Sequence, residues 1–126
     1  MNHMIFPSVL TIAGSDSGGC AGIQADIKTI SATGSYAAGA ITAVTAQNTL
    51  GVREVFPVPP QVIGSQIRAV LDDIRIDAIK IGMLFSAGAV SEVARALSGY
   101  DLPPVVLDPV MVSTSGHSLM EDGAAG

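Results

Sequence analysis

Residues 8–13 read SVLTIA and residues 14–22 read GSDSGGCAG, an apolar, β-branched run that ends in a glycine-rich segment. The apolar run predicts a buried strand, and the glycines predict a tight turn directly after it. Ile23, Ile27 and Ile30 follow at spacings of four and three residues, which is the repeat of one helix face. The chain is therefore predicted to open with a strand, a turn and a helix.

The rest of the chain continues this alternation. Apolar runs at residues 40–46 (AITAVTA), 78–84 (AIKIGML) and 105–110 (VVLDPV) predict three further strands. Two stripes at helical spacing predict helices between them: Ile63, Ile67, Val70, Leu71 and Ile74, and then Val90, Val93, Ala94 and Leu97. The resulting order, βαβαβαβ, predicts an α/β protein with a parallel sheet covered by helices on both faces.

The composition argues against several classes of protein. Of the 126 residues, 48% are hydrophobic and 13% are charged, so intrinsic disorder is not expected. Six basic residues, a net charge of −5 and no cluster of Lys or Arg argue against nucleic acid or an anionic membrane as a partner. The uncharged runs are too polar to span a bilayer, and no basic signal segment is apparent. We therefore expect a cytoplasmic protein, with residues 1–126 belonging to a single domain.

The end of the chain is unusual for such a fold. After residue 110 it reads MVSTSGHSLMEDGAAG, which contains no further strand or long helix. The last predicted strand would therefore lie at an open, unprotected edge of the sheet. We expect from this that the chain is cut within a domain.

Polar residues collect where the predicted strands end. These positions are residues 14–22, Gln47, Met83 with the glycine before it, and Asp108. In open parallel sheets, ligands bind beyond the carboxyl ends of the strands. The sequence therefore predicts one pocket formed by several loops at this edge.

Each candidate residue also has a structural explanation. The glycine-rich loop can offer N–H groups to an anion, or can simply make a tight turn; its spacing fits neither a phosphate loop nor the GxGxxG of a dinucleotide-binding protein. Asp26, predicted in the first turn of its helix, either interacts with the helix dipole or accepts a substrate hydroxyl. Gln47 either caps a turn or pairs with an aminopyrimidine edge, because a carboxamide both donates and accepts. Asp108 lies in an apolar strand, where a buried carboxylate requires a partner or a nearby metal.

Four stretches together carry a resemblance to one family. They are TIAGSDSGGCAGIQADIKT (residues 11–29), AVTAQNTLGV (43–52), KIGML (80–84) and VVLDPVMVSTSG (105–116), in this order. They resemble the hydroxymethylpyrimidine/phosphomethylpyrimidine kinases of thiamine biosynthesis, a family of the ribokinase-like superfamily. The resemblance implies a three-layer ribokinase-like fold, a homodimer, and phosphorylation of 4-amino-5-hydroxymethyl-2-methylpyrimidine and its monophosphate with ATP and Mg²⁺.

The resemblance also implies roles for individual residues. Gln47 would recognise the aminopyrimidine edge, Asp26 would lie near the hydroxymethyl group, and Asp108 would lie on the side of ATP and Mg²⁺. The substrate-binding residues implied are Gln47, Asp26, Ala21, Thr45, Met83 and Gly14, with Ala21 and Thr45 contributing backbone groups and Met83 flanking the ring.

This chain departs from the family pattern in two respects. Cys20 stands where family members usually carry glycine. The catalytic residues, the anion hole and most nucleotide contacts of the family lie downstream of residue 126, and no metal ligand is assigned here with certainty. Two other interpretations therefore stay open: a pyridoxal/pyridoxine kinase of the same fold, or an inactive truncated fragment that binds substrate.

Overall fold

The computed structural model describes residues 6–108, which form a five-stranded sheet between two layers of helices. The strands have the order β3-β2-β1-β4-β5 across the sheet. The predicted α/β class with three layers is therefore confirmed. The elements are β1 (Ser8–Asp16), α1 (Gly22–Ala32), β2 (Tyr36–Asn48), β3 (Gly51–Pro57), α2 (Pro60–Leu71), β4 (Ala78–Ile81), α3 (Ala87–Leu97) and β5 (Val105–Leu107).

The main departure from the predicted order is a hairpin formed by β2 and β3. The strand β3 runs antiparallel to β2, with Val44 opposite Phe56 and Asn48 opposite Gly51. The sheet is therefore mixed, and the prediction of an entirely parallel sheet is wrong at this edge. The sequence pattern did not indicate β3 because an edge strand need not bury a face, and Arg53 and Glu54 at its centre are both exposed.

All four predicted strands also change length, and the first extends from residues 8–13 to Ser8–Asp16. The second predicted strand extends from residues 40–46 to Tyr36–Asn48, so that Gln47 lies within β2 rather than after it. The third shortens to Ala78–Ile81 and the last to Val105–Leu107. The end of the last predicted strand, residues 109–110, lies outside the described residues, as does the end of the fourth quoted motif.

The two faces of the sheet carry different layers. Leu10 and Ile12 of β1 pack with α2 and α3, where Ile63 and Ile67 are fully buried. The residue between the two on the strand, Thr11, points to the opposite face and hydrogen-bonds to α1. The helix α1 therefore covers one face, and α2 with α3 covers the other.

The helix α3 follows its predicted stripe only in part. Val93 and Leu97 are buried as expected, but Val90 and Ala94 are exposed. Small and polar residues take the inward positions instead, namely Ala89, Glu92 and Ala96. The buried Glu92 forms ion pairs with Arg95 at 3.0 Å and Arg68 at 3.5 Å, which compensate its charge, and the second of them joins α3 to α2.

The strand β5 is short and exposed to solvent. All three of its residues are exposed, and Val106 shows 61% of its surface. This agrees with the prediction that the last strand lies at an open edge. Within residues 6–108, no helix is long and apolar enough to cross a membrane.

Candidate functional site

The glycine-rich loop after β1 folds around the carboxylate of Asp16. This residue is only 4% exposed, and its side chain accepts the N–H groups of Gly18 at 2.7 Å and of Cys20 and Ala21 at 2.9 Å. An internal carboxylate therefore occupies the place where the sequence suggested an external anion. Bonds of this kind between N–H groups and a charged acceptor are short and strong, so they fix the conformation of the loop.

Gln24 in α1 fastens the start of the helix to the end of β1. Its Oε1 accepts the N–H of Asp16 at 2.8 Å, and its Nε2 donates to the Ser15 hydroxyl at 2.7 Å. The helix can approach this closely because its first residue, Gly22, has a φ of +60° and lies directly against the Gly14 carbonyl. A side chain at residue 22 would collide with that carbonyl, so this position requires glycine.

Ser17 attaches the loop to the end of β2. Its hydroxyl donates to the carbonyl of Gln47 at 2.6 Å and accepts the N–H of the same residue at 2.8 Å. Next to it, the Thr45 hydroxyl donates to the Ser15 carbonyl at 2.8 Å and lies 3.0 Å from Oε1 of Gln47. The half-buried Gln47 side chain is thus held beside the loop, at the carboxyl edge of the parallel strands.

Met83, which follows β4, packs against Gly14. The methyl group of Met83 occupies the space that a side chain at residue 14 would need, so glycine is required there as well. The Met83 side chain is buried and packs with Ala43 under the β2–β3 hairpin, and its carbonyl accepts the hydroxyl of Thr42. It therefore forms a wall beneath the carboxyl edge of β1.

Asp26 does not lie in the first turn of α1, as the sequence suggested. It is the fifth residue of the helix, and no acidic residue occupies the first turn. Its Oδ2 accepts the hydroxyl of Thr11 and the ammonium of Lys80, the latter at 2.9 Å. Interaction with the helix dipole, which is confined to the end turns, therefore does not explain this carboxylate.

Asp108 follows β5 and is exposed. Its N–H donates to the carbonyl of Ile81 at 2.8 Å, which continues the pairing of β5 with β4 by one residue. A buried carboxylate was expected here, and this expectation is wrong: β5 has no further neighbour among residues 6–108, so Asp108 faces solvent at the edge of the sheet.

The structure thus brings some of the predicted residues together and keeps others apart. The backbone and side chains of Ser15 and Asp16 link Ala21, Thr45 and Gln47 into one hydrogen-bonded network. The remaining candidates are not part of this network: Gly14 and Met83 lie against each other, Asp26 lies on the α1 face, and Asp108 lies two strands away from β1.

Four residues in or beside this site were given no individual role from the sequence. They are Asp16, Ser17, Gln24 and Lys80. The Asp-x-Gly spacing of Asp16 and Gly18 is typical of a carboxylate that caps its own turn, and could have identified the first of them. Lys80 is the one charged residue in its apolar strand, and its alternation with Ile79 and Ile81 could have identified it as facing the other layer.

An open cavity of about 240 Å³ lies beside Asp26 on the α1 face. The residues lining it are Val9, Ala25, Asp26, Thr29, Ile30 and Lys80. In the part of the chain that the structure describes, no three His, Cys, Asp or Glu side chains are grouped so as to hold a metal ion. Cys20 is exposed, and its thiol donates to the Gly18 carbonyl at 3.8 Å.

Comparison with known proteins identifies the family. The family described as phosphomethylpyrimidine kinase matches residues 16–126. A hydroxymethylpyrimidine/phosphomethylpyrimidine kinase of Bacillus subtilis is 54% identical over 113 residues, which is 90% of this chain and 42% of that protein. The chain therefore spans less than half the length of this relative.

Solved structures agree with the sequence comparison. A phosphomethylpyrimidine kinase from Clostridium difficile 630 has a TM-score of 0.86 and 49% identity, covering 94% of this chain and 51% of that one. Pyridoxal kinase of Bacillus subtilis, in an ADP complex, is also similar, with a TM-score of 0.79 and 40% identity over 86% of this chain and 41% of that one. The family match, the shared fold and the high identity lead to one conclusion: this chain belongs to the phosphomethylpyrimidine kinase family.

Proposed function

We propose that this chain supplies the pyrimidine-binding part of a kinase that phosphorylates 4-amino-5-hydroxymethyl-2-methylpyrimidine and its monophosphate in thiamine biosynthesis. The observation that carries the proposal is the hydrogen-bonded network joining Gln47, Thr45 and the loop around Asp16. This network holds a carboxamide at the edge where α/β proteins bind their ligands. The name and identity of the Bacillus subtilis relative support the same substrate.

In this proposal, the residues at the carboxyl edge recognise the flat ring. Gln47 pairs with the ring nitrogen and the amino group, since its amide offers both a donor and an acceptor. The backbone of Thr45 and Ala21 adds hydrogen bonds; the N–H of Ala21 already donates to Asp16, so the ligand would share that group. Met83 and Gly14 form the apolar wall on which the ring lies.

ATP and Mg²⁺ would bind on the side of β5. Asp108 has an exposed carboxylate there, and carboxylate oxygen is a ligand that Mg²⁺ prefers, often singly and together with phosphate oxygens. When bound, the ion would neutralise charge on the transferred phosphoryl group. Residues 1–126 would form one part of a single kinase domain, with the catalytic residues in a portion of the protein beyond them.

The proposed partners are small molecules. Six basic residues in 126 favour a pyrimidine and a nucleotide over nucleic acid or an anionic membrane. Homodimer formation and a cytoplasmic location are further proposals, the first resting on the family resemblance and the second on the composition of the sequence.

Calorimetric titration of the chain without ATP tests the substrate. We expect saturable heat with hydroxymethylpyrimidine and none with pyridoxal, because only the pyrimidine has the edge that Gln47 would recognise. Gln47→Leu should abolish the heat, whereas the matched change Gln61→Leu, on the exposed side of α2, should leave it unchanged. Binding that survives Gln47→Leu would refute the recognition of this edge.

Pyridoxal kinase is the second candidate function, favoured by the similarity to the Bacillus subtilis pyridoxal kinase. Saturable binding of pyridoxal alone would establish it in place of the first. If neither ligand binds, the pocket is not formed by this chain alone. In that case, formation of the phosphorylated pyrimidine from Mg·ATP by the longer protein decides the substrate.

A further inference from the structure

A polar row crosses the sheet beneath α1. Thr11 of β1 lies at the same register as Gly39 of β2 on one side and Lys80 of β4 on the other. A Cβ at Gly39 would meet Ile23 of α1, and the other two residues contact Asp26 of the same helix. A buried hydroxyl and a partly buried ammonium in the middle of the sheet require an explanation, because each costs free energy to remove from water.

Both of these donors bind the same oxygen of Asp26. The hydroxyl of the fully buried Thr11 and the ammonium of Lys80 each donate to Oδ2. Among residues 6–108, no hydrogen bond reaches Oδ1. No buried side-chain oxygen or nitrogen in this part of the chain lacks a partner, so Oδ1 is accessible to solvent or to a ligand.

Lys80 is directed toward the carboxyl edge of the sheet. Its Nζ lies 2.9 Å from the position that a Cβ on Gly82 would take, two residues further along the chain. The side chain therefore extends along its strand toward the edge that carries the Gln47 network. Glycine at residue 82 leaves room for the ammonium, which therefore lies beside residue 82 and close to Ala13. These two residues directly precede Met83 and Gly14, so the ion pair with Asp26 lies next to the apolar wall of the site.

We propose that Thr11 and Lys80 are positioning residues for the substrate hydroxyl. They hold Oδ2 of Asp26 and thereby turn Oδ1 toward the hydroxymethyl group, whose O–H donates to it. The inference rests on the proposed function, because it needs Asp26 to contact the substrate. Two donors on one oxygen restrict the rotation of the carboxylate, so the second oxygen is oriented before the substrate arrives.

The competing explanation is structural. The same two bonds join α1 to β1 and β4, and could serve only to attach the helix. The pair is partly exposed, with 29% of the Lys80 side chain and 19% of the Asp26 side chain accessible, so its contribution to stability is small. The two explanations differ in what they predict for a ligand without the hydroxyl group.

The test compares two ligands on the 126-residue chain by calorimetry. They are hydroxymethylpyrimidine and 4-amino-2,5-dimethylpyrimidine, which has the same ring but no hydroxyl. We expect the wild-type chain to bind the hydroxyl compound roughly ten- to hundredfold more tightly, as for one hydrogen bond to a charged group. Thr11→Val and Lys80→Met should reduce this ratio to within about threefold of one, with the affinity for the dimethyl compound unchanged.

Two further variants serve as controls. Thr11→Ser keeps the hydroxyl and should retain the full ratio. Thr29→Val removes a hydroxyl of α1 that lines the cavity beside Asp26 without bonding to Asp26, and this variant should also retain the full affinity ratio. Thermal unfolding of each variant establishes that the helix remains attached.

The outcomes separate the inference from the proposed function. Equal weakening of both ligands by Thr11→Val and Lys80→Met would assign these residues a structural role, and would overturn the inference while the substrate class stands. Equal affinity of the wild-type chain for the two ligands would also overturn the inference, and the proposed substrate class would stand. Failure of the wild-type chain to bind either pyrimidine would overturn both the pyrimidine pocket of this chain and the inference.

Discussion

The two faces of the sheet use the same strands for different purposes. On the face under α2 and α3, Ile12 and Ile79 are fully buried among apolar neighbours. On the opposite face, Thr11 and Lys80, each next to one of them in sequence, bind a carboxylate of α1. Because side chains alternate along a strand, a shift of one residue separates a packing position from a polar one.

The two faces differ in how much they contribute to stability and to the geometry of ligand binding. Burying one large aliphatic side chain contributes about 1.5–3 kcal/mol, whereas a partly exposed ion pair contributes about 0–1 kcal/mol. The α2–α3 face should therefore dominate the free energy of unfolding, and the α1 face should dominate the position of binding groups. Variants on the two faces test this division.

The largest effect is expected for Ile67→Ala on the apolar face. Ile67 of α2 is fully buried in the main core, so truncation removes apolar contacts and leaves a cavity. We expect the free energy of unfolding to fall by about 2–5 kcal/mol, measured by urea denaturation. The matched change Ile27→Ala, at an exposed position of α1, should cost at most about 0.5 kcal/mol. Equal losses at the two positions would refute the division between the faces.

An intermediate effect is expected where α1 meets the sheet. Gly22→Ala places a methyl group against the Gly14 carbonyl at a φ of +60°, so the helix must shift from the end of β1. We expect a loss of about 2–3 kcal/mol together with loss of pyrimidine binding, because the loop around Asp16 moves with the helix.

Gly34→Ala is the matched control for this change. Gly34 has a similar φ of +84°, but a side chain there would meet no atom within 4 Å. Gly34→Ala should lower the free energy of unfolding by about 1 kcal/mol and leave pyrimidine binding unchanged. If Gly22→Ala behaves in the same way as Gly34→Ala, the close approach of α1 to the Gly14 carbonyl does not organise the site.

The sequence predicted the central part of the fold better than its edges. Apolar runs and helical stripes identified the elements that bury side chains, such as β1 and α2 with Ile63 and Ile67. They did not identify β3, whose residues are stabilised by pairing with β2 rather than by burial. Periodicity detects a buried face, so a strand without one does not produce the pattern.

The candidate site was predicted as a set of positions but not as a network. The sequence placed Gln47 and the glycine-rich loop at strand ends, and the structure joins them through Ser17. The partner of Asp26 could not be predicted, because Lys80 is 54 residues away and approaches only when β1 and β4 pair. Contacts of this kind depend on register, which sequence spacing within one element does not contain.

The smallest effect concerns a polar bond at the rim of the apolar face. The hydroxyl of Tyr100, just after α3, donates to Asp72 at the end of α2. This hydrogen bond, with a lesser contribution from the negative charge of Asp72, raises the pKa of Tyr100 above its ordinary value of 10.0. The bond stabilises the folded chain fully below pH 10, and the stabilisation is lost as the pH rises through the pKa of the folded state.

Absorbance at 295 nm can follow this titration, since Tyr36→Phe leaves Tyr100 as the one tyrosine of the chain. We expect Asp72→Ala to lower the midpoint toward 10.0, whereas Asp73→Ala, at the neighbouring exposed carboxylate, should lower it less. Neither change should alter pyrimidine binding, because this bond joins two helices on the face opposite Asp26. A loss of binding in Asp72→Ala would show that the two faces are coupled, and would contradict the separation of stability from ligand geometry.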